Sequence, residues 1–227
     1  MRCLALVTLS LGLVACDAGL NRDIDVAAGA RGVGGFTVNG RIEVGAGAEV
    51  SGDLRTVNGS VRIGKQARVG DLNSINGSIM LADRVQVGAV TTVNGSVTLG
   101  NGARVAGALG AVNGALRGAG GAIIDGDVRT VNGPIELRGV TVRGAVGNHA
   151  GDVRLLDGTL VEGDLELAEP DHANKRSDAV VIGVGVQVRG VLRAARPVRL
   201  FVHPSARLGK IEGATAVAFE GTDVAGD

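Results

Sequence analysis

The chain has 227 residues and equal numbers of basic and acidic side chains, 23 of each, so its formal net charge is zero. A neutral chain has no net field that would attract nucleic acid, and no nucleic-acid partner is expected. Glycine is abundant at 39 residues, and the only aromatic residues are three phenylalanines, with no tyrosine or tryptophan. Together with many aliphatic residues, this composition favours short buried strands joined by tight corners and argues against disorder.

The N-terminal segment is typical of an export signal. A positive start, Met1-Arg2, precedes an apolar run that extends from position 4 to position 15. This run suits a signal peptide and is shorter than the ~20 residues that a membrane-spanning helix needs. It ends in Leu-Val-Ala-Cys, which resembles a bacterial lipobox, so we predict a lipoprotein signal peptide over residues 1–15 and lipidation of Cys16. A plain secretory signal with an incidental cysteine is the alternative. The acyl chains would make the membrane a partner of the mature chain.

A four-residue phrase, Thr-Val-Asn-Gly or a close variant, recurs six times in the next part of the chain. Residues 16–35 precede it and are predicted to be a tether and an N-terminal cap. The asparagines of the phrase recur at a nearly constant step, and they are Asn39, Asn58, Asn76, Asn94, Asn113 and Asn132. Such a regular step indicates a solenoid, in which each coil buries its apolar side chains against its neighbours.

A finer repeat places an aliphatic residue at every sixth position, and three sixes make one coil. The pattern predicts an all-β fold, a parallel β-helix with triangular coils of about 18–19 residues, and it shows no helical period of about 3.6. It also assigns the aliphatic residue of each phrase, such as Val57, Ile75 and Val93, to the coil interior. We expect a regular solenoid over residues 36–147.

The solenoid is predicted to continue, less regularly, over residues 148–213. Gly-Asp phrases recur there at Asp152 and Asp164, and the polar run at 169–178 interrupts the pattern as a loop. Residues 214–227 are predicted to form a C-terminal cap or tail.

The Asn-Gly pair suits a corner because both residues tolerate positive φ. Stacked coils would align the six asparagines in one column, where each side-chain amide can bond to the next. We therefore predict a structural Asn ladder rather than a ligand site.

The Gly-Asp phrases raise the question of calcium. Calcium-binding β-rolls carry a Gly-Gly-x-Gly-x-Asp nonapeptide, which is absent from this sequence. Instead, an arginine stands two positions after the aspartate, on the same face of a strand, in three pairs: Asp53 and Arg55, Asp127 and Arg129, and Asp152 and Arg154. This spacing favours solvated ion pairs over calcium, so no metal and no cofactor are expected.

The six-residue repeat also resembles the hexapeptide β-helix of acyltransferases, which use a catalytic histidine and an acyl-CoA or acyl-carrier-protein donor. The available histidines are His149, His172 and His203, and an exported protein would meet no such donor. They stand far apart in the sequence, which does not fit the closely spaced zinc ligands of the related carbonic anhydrases. We therefore predict no catalytic residue and no enzymatic activity.

Two stretches, Val44–Leu54 and Ile63–Leu72, resemble the bactofilins, the polymer-forming cytoskeletal proteins of bacteria. The resemblance covers about half of the chain. It implies a right-handed rather than a left-handed triangular β-helix and filaments formed end to end through apolar coil tips. The tip candidates here would be Phe36 at one end and Phe201 or Phe219 at the other. Bactofilins are typically cytoplasmic, whereas this chain carries an export signal.

The sequence thus favours a non-enzymatic, lipid-anchored β-solenoid of the bacterial cell envelope, facing the periplasm, with a scaffold role and end-to-end self-association. The Val-Asn-Gly-Ser phrasing also resembles adhesin-like repeat proteins of bacterial envelopes. That resemblance gives the alternative function, a binding module for an envelope polymer or a partner protein.

Overall fold

The computed structural model describes residues 21–169 and 178–221. These residues form 28 strands and no helix, and every strand pairing is parallel. The strands make three sheets that run side by side along a rod of about ten coils. In each coil the chain crosses the first, second and third face in turn and then rises to the next level. The predicted all-β parallel β-helix is confirmed, and its hand stays a prediction.

The first face is an 11-stranded sheet. Its strands, numbered in chain order, are β1 (Ile24–Val26), β3 (Ile42–Val44), β5 (Val61–Ile63), β7 (Ile79–Leu81), β10 (Val97–Leu99), β13 (Leu116–Gly118), β16 (Ile135–Arg138), β19 (Val153–Leu156), β22 (Asp178–Ile182), β25 (Val198–Val202) and β28 (Ala216–Ala218).

The second face is the shortest, with 7 strands that each consist of a residue pair. They are β8 (Gln86–Val87), β11 (Arg104–Val105), β14 (Ile123–Ile124), β17 (Thr141–Val142), β20 (Leu160–Val161), β23 (Gln187–Val188) and β26 (Arg207–Leu208). Single bridges from Glu49 to Arg68 and from Arg68 to Gln86 extend this face toward the N-terminal end.

The third face is a 10-stranded sheet. Its strands are β2 (Arg31–Thr37), β4 (Glu49–Thr56), β6 (Leu72–Ser74), β9 (Val90–Asn94), β12 (Leu109–Asn113), β15 (Val128–Asn132), β18 (Val146–Ala150), β21 (Leu165–Leu167), β24 (Leu192–Ala194) and β27 (Ile211–Glu212).

The coil length is nearly constant until one insertion. On the first face Ile24 pairs with Ile42 and Ile42 pairs with Val61, so these two coils are almost equal in length. Val153, by contrast, pairs with Val180, which makes that coil clearly longer. The extra length includes residues 170–177 of the predicted loop, which lie outside the described residues, and Asp178 already belongs to β22.

The solenoid begins earlier than its sequence predicts. Residues 24–35 were expected to belong to a tether and cap, but β1 and β2 complete a coil that pairs in register with β3 and β4. The prediction is wrong because Gly32 and Gly35 occupy the inward positions that Val50 and Leu54 take one coil later. Without a side chain at those positions, the first coil lacks the aliphatic repeat.

The C-terminal boundary also moves. The segment 214–227 was predicted as a cap or tail, yet β28 pairs with β25 and extends the first face. Residues 222–227 lie outside the described residues.

Aliphatic side chains fill the interior of the rod. On the first and second faces the six-residue repeat is confirmed: Ile63, Val69, Leu81 and Val87 are buried. On the third face the prediction is wrong by one position. There the buried side chains are Thr56, Ser74 and Thr92, whereas their neighbours Val57, Ile75 and Val93 are half-buried or exposed on the outside of the corner.

Candidate functional site

The corner between the third and first faces, which we call the Asn corner, is built by the Thr-Val-Asn-Gly phrase. The buried hydroxyl of Thr56 donates to the carbonyl of Gly40 in the coil below, at 3.1 Å, and Thr92 donates to Gly77 at 3.1 Å. This bond pairs the buried hydroxyl and also satisfies a corner carbonyl. A small residue takes the inward position in every phrase, including Ser74, whose hydroxyl has no partner, and Ala111, and the following aliphatic residue faces outward.

The six predicted asparagines stand in one exposed column. The Nδ2 atom of each donates to the Oδ1 atom of the asparagine one coil below, at distances of 2.8, 2.8, 2.8, 2.9 and 3.0 Å from Asn58 up to Asn132. Asn39 in turn donates to Asn21 at 2.6 Å, which adds a seventh rung. The ladder ends above Asn132, where Ala150 occupies the same register.

Sequence reasoning missed Asn21. It precedes Asn39 by one coil step, and it follows an aliphatic residue as the other asparagines do. It is not followed by glycine, so it does not match the phrase.

The glycines of the Asn corner have a different role from the one that the sequence indicates. None of the ladder asparagines has positive φ, and neither do Gly40, Gly59, Gly77 and Gly95. A Cβ atom on Gly59 would lie 1.9 Å from the carbonyl oxygen of Gly40, and one on Gly77 would lie 1.9 Å from that of Gly59. Glycine is therefore required at these positions by the close approach of stacked backbones, and the positive-φ interpretation is wrong for them; of the six phrase glycines only Gly133 has a positive φ, of +157°.

The corner between the second and third faces uses aspartate as a backbone acceptor. Oδ1 of Asp71 accepts the backbone N–H of Ala89 at 2.7 Å, and Oδ1 of Asp127 accepts that of Ala145 at 2.9 Å. Asp164 accepts the N–H of Val191 at 2.8 Å in the same way. These carboxylates join successive coils at single positions of the corner, and backbone hydrogen bonds join the same coils on either side.

The charged side chains near this corner form ion pairs. Asp53 lies 2.9 Å from Arg55, and the corresponding distance from Asp127 to Arg129 is 3.1 Å. These side chains are 40–60% exposed, so each pair contributes about 1 kcal/mol at most. The backbone N–H of Val191, and then the guanidinium of Arg193, lower the pKa of Asp164 from its ordinary value of 3.8.

Asp152 does not belong to this set. The register of β16 and β19 aligns it with Pro134, so it lies at the Asn corner, where it accepts the N–H of Ala179 at 2.8 Å. Grouping Gly151-Asp152-Val153 with the other Gly-Asp phrases was wrong, because two different corners of the coil tolerate the same dipeptide.

The histidines of the described residues are separated in the rod. His149 lies in β18 on the third face. His203 follows β25 on the first face, where its Nδ1 accepts the backbone N–H of Ser205 at 3.1 Å. His172 lies outside the described residues. Within residues 21–169 and 178–221, no three His, Cys, Asp or Glu side chains converge as a metal site would require.

Two of the three phenylalanines predicted as coil tips, Phe36 and Phe201, face the side of the rod, and Phe219 follows its last described strand. Phe36 is 41% exposed and faces outward from the side of the first coil, in register with Arg55. Phe201 faces outward in β25, in register with Val181. Phe219 follows β28 and packs edge-on against the ring of His203, with centroids 5.7 Å apart. Cys16 lies outside the described residues.

The ends of the rod are instead marked by an incompletely covered core. Leu208 and Ile211 in the last coil are half-buried, whereas Val188 and Leu192, their register partners one coil below, are buried. At the other end Ile24 is half-buried where Ile42 is buried.

A buried polar cluster, unrecognised in the sequence, replaces the Asn corner after the ladder ends. The side chain of Arg196 is 5% exposed and pairs with Asp178, which is 12% exposed. Its guanidinium also donates to the side chain of Asn148 at 2.5 Å and to the carbonyl of His149 at 2.8 Å, while its Nε has no partner. Asn148 occupies the inward position that Thr130 has in the coil below. No periodic signal marks Arg196, since its partners are remote from it in the sequence and follow no common step.

The described chain contains no helix of the length and hydropathy required to cross a bilayer. No protein-family model, no curated protein and no solved structure matches this chain.

Proposed function

We propose that this protein is a non-enzymatic, lipid-anchored β-solenoid of the bacterial cell envelope that acts as a scaffold and self-associates end to end. The observation that carries the proposal is the incomplete covering of the core at Ile24 in the first coil and at Leu208 and Ile211 in the last. Half-buried aliphatic side chains at a coil end lose about 25 cal/mol for each Å² that stays in contact with water. A second rod stacked on that end would remove this cost.

The strand edges support the same arrangement. Among the described strands, β1 and β2 end the first and third faces at one pole of the rod, and β28, β26 and β27 end the three faces at the other. Edge strands offer unpaired N–H and C=O groups, which are a template for pairing with another chain. The resemblance of Val44–Leu54 and Ile63–Leu72 to bactofilins supports end-to-end assembly independently.

The anchoring part of the proposal rests on Cys16. Replacing Cys16 by serine removes the thiol that would carry the lipid, so the full chain should move from the membrane fraction to the soluble fraction. Replacing Cys3, which lies inside the predicted signal peptide, is the matched control and should leave the distribution unchanged. Equal membrane association of the wild type and the Cys16→Ser variant would refute a lipid anchor at this residue.

Light scattering on the full chain, solubilised in detergent, tests self-association. The mass of the wild type should rise with concentration, and Ile211→Arg should abolish the rise by placing a charge at the open coil end. Met80→Arg is the matched control, because Met80 is 53% exposed on the first face, away from both ends. A wild type that stays monomeric at all concentrations and salt levels would overturn the scaffold proposal.

The alternative is an adhesin-like module that binds an envelope polymer or a partner protein. The observation that favours it is a shallow groove on the first face with both charge signs, lined by Arg117, Glu136, Asp152 and Arg154. A monomeric wild type that binds isolated envelope material, and loses this binding in Arg117→Glu, would support the alternative.

A further inference from the structure

The Asn corner differs from the other two corners of the triangle in its charge. Five successive coils contribute four residues each to it, and none of the twenty is charged: Val57–Ser60, Ile75–Ser78, Val93–Ser96, Val112–Ala115 and Val131–Pro134. All of them except Ala115 are exposed or half-buried. The other corners carry ion pairs such as Lys65 with Asp83 and Arg143 with Asp125. A protein with 20% charged residues thus keeps five successive coils of one exposed edge free of charge.

The same corner carries a column of aliphatic side chains that the fold does not need. Ile75 is 46% exposed and Val112 is 37% exposed. The preceding residues, Ser74 and Ala111, are buried and fill the interior at this point, so a polar residue at the aliphatic position would leave the core intact. An exposed aliphatic column without charge has the composition of an interface core, where charged residues are depleted.

The spacing of the column indicates its occupant. Valine and asparagine repeat once per coil, at ~4.8 Å, and another β-rod presents the same spacing. Each ladder amide uses one N–H along the column, so its second N–H remains directed away from it. A carbohydrate polymer is less well matched, because the chain has no tryptophan or tyrosine to stack on a sugar ring.

We propose that the Asn corner is a lateral interface between two copies of this chain, with two rods lying side by side and each aliphatic column packed against the other. A two-fold axis parallel to the rods brings the same coil of both copies to the same height. This orientation rests on the proposed function, since it places both N-termini at one membrane surface.

The size of the corner predicts a weak interface. The five uncharged phrases, from Val57 to Val131, span four steps of ~4.8 Å, or roughly 19 Å, which is too short to bury the ~800 Å² per partner of a stable complex. Pairing therefore depends on the high effective concentration of two copies that share a membrane.

Disulfide cross-linking on membranes tests the arrangement. The full chain is expressed in a bacterial host with one added cysteine, either Val57→Cys at the lower end of the column or Val131→Cys at its upper end. Both variants should form disulfide-linked dimers, with roughly tenfold more dimer than Met80→Cys. Side-by-side copies hold each corner cysteine in contact with the same cysteine of the other copy. The unmodified chain is the control that measures the amount of dimer linked through Cys3 or Cys16.

A variant with charged residues in the aliphatic column tests the lateral interface further. Adding Ile75→Lys and Val112→Lys should abolish the Val57→Cys dimer without lowering the melting temperature, since both positions are exposed.

Equal linkage of Met80→Cys, or no linkage of either corner cysteine, would overturn the lateral interface. Linkage of Val57→Cys only to Val131→Cys in a mixed population would show antiparallel rods and overturn the parallel arrangement. Loss of the chain from the membrane fraction would count against the lipid anchor instead, and cross-linking would then be measured on the purified soluble chain at high concentration, where the same outcomes decide the interface.

Discussion

At the scale of single residues, glycine has two separate functions in this rod. At the Asn corner, Gly59 allows two backbones to approach, and its φ is not positive. At the corner between the first and second faces, Gly47 has a φ of +67° and no heavy atom lies within 4 Å of the position of an added Cβ. Gly59 is required by the close packing between coils, whereas Gly47 is required only by its backbone conformation.

This difference predicts unequal costs for the same substitution. Gly47→Ala should lower the free energy of unfolding by about 1 kcal/mol, the cost of holding an L-residue in the left-handed region. Gly59→Ala should cost about 3 kcal/mol or more, because its methyl group would overlap a backbone carbonyl that cannot move without shifting a coil. Chemical denaturation measures both, with the Gly47 variant as the internal control. Similar costs for the two variants would contradict the close-approach explanation.

At the scale of strands and corners, burial distinguishes two aliphatic positions on either side of one Asn-Gly pair. Val112 faces outward at the Asn corner and is 37% exposed, whereas Leu116, in the strand β13 that follows the corner, is fully buried. Val112→Asp should therefore change the free energy of unfolding by no more than about 1 kcal/mol. Leu116→Asp should cost about 4 kcal/mol or more, because its charge would have no partner inside the coil. Similar losses of stability in the two variants, measured by thermal melts, would refute the outward assignment of Val112.

The aspartates at the corner between the second and third faces make the stability of the rod sensitive to acid. Because the backbone N–H of Val191 and the Arg193 guanidinium lower the pKa of Asp164, its carboxylate stabilises the fold at pH values above its ordinary pKa of 3.8. That contribution is lost as the pH falls through the lowered pKa of the folded state. Asp164→Asn should therefore be less stable than the wild type at pH 7, and the difference should shrink below about pH 4. A difference that is constant from pH 7 to pH 2 would contradict this role.

The sequence predicts the elements of this fold better than their side-chain orientation. The spacing of Asn39 to Asn132 gives the coil length directly, because each coil must return to the same corner. The six-residue repeat cannot decide between Thr56 and Val57 as the inward residue, since both recur with the coil. The stacked coils place the smaller residue inward, as Ala111 and Ser74 also show, and the hydrogen bond of Thr56 to Gly40 exists only after the coils have stacked.

The remaining errors have equally local causes. The first coil was missed because Gly32 and Gly35 replace its inward aliphatic residues. The Arg196 cluster was missed because it joins β18, β22 and the turn after β24, which are remote in the sequence and carry no shared motif.

At the scale of the whole molecule, the protein is a rod of about ten coils, roughly 50 Å long at ~4.8 Å per coil. Among the described strands, both poles end in strand edges, and five successive coils of the Asn corner are uncharged and aliphatic. The poles support growth along the rod axis, and the Asn corner supports pairing across it. A scaffold on a membrane surface would use both contacts, and the Asn corner alone is too small for a stable complex in dilute solution.

The most direct test of this account is electron microscopy of the wild-type chain reconstituted into lipid vesicles. The account predicts particles longer than one rod and two rods wide, shortened by Ile211→Arg and narrowed by the double variant Ile75→Lys and Val112→Lys. Single rods of roughly 50 Å at every protein density would contradict it.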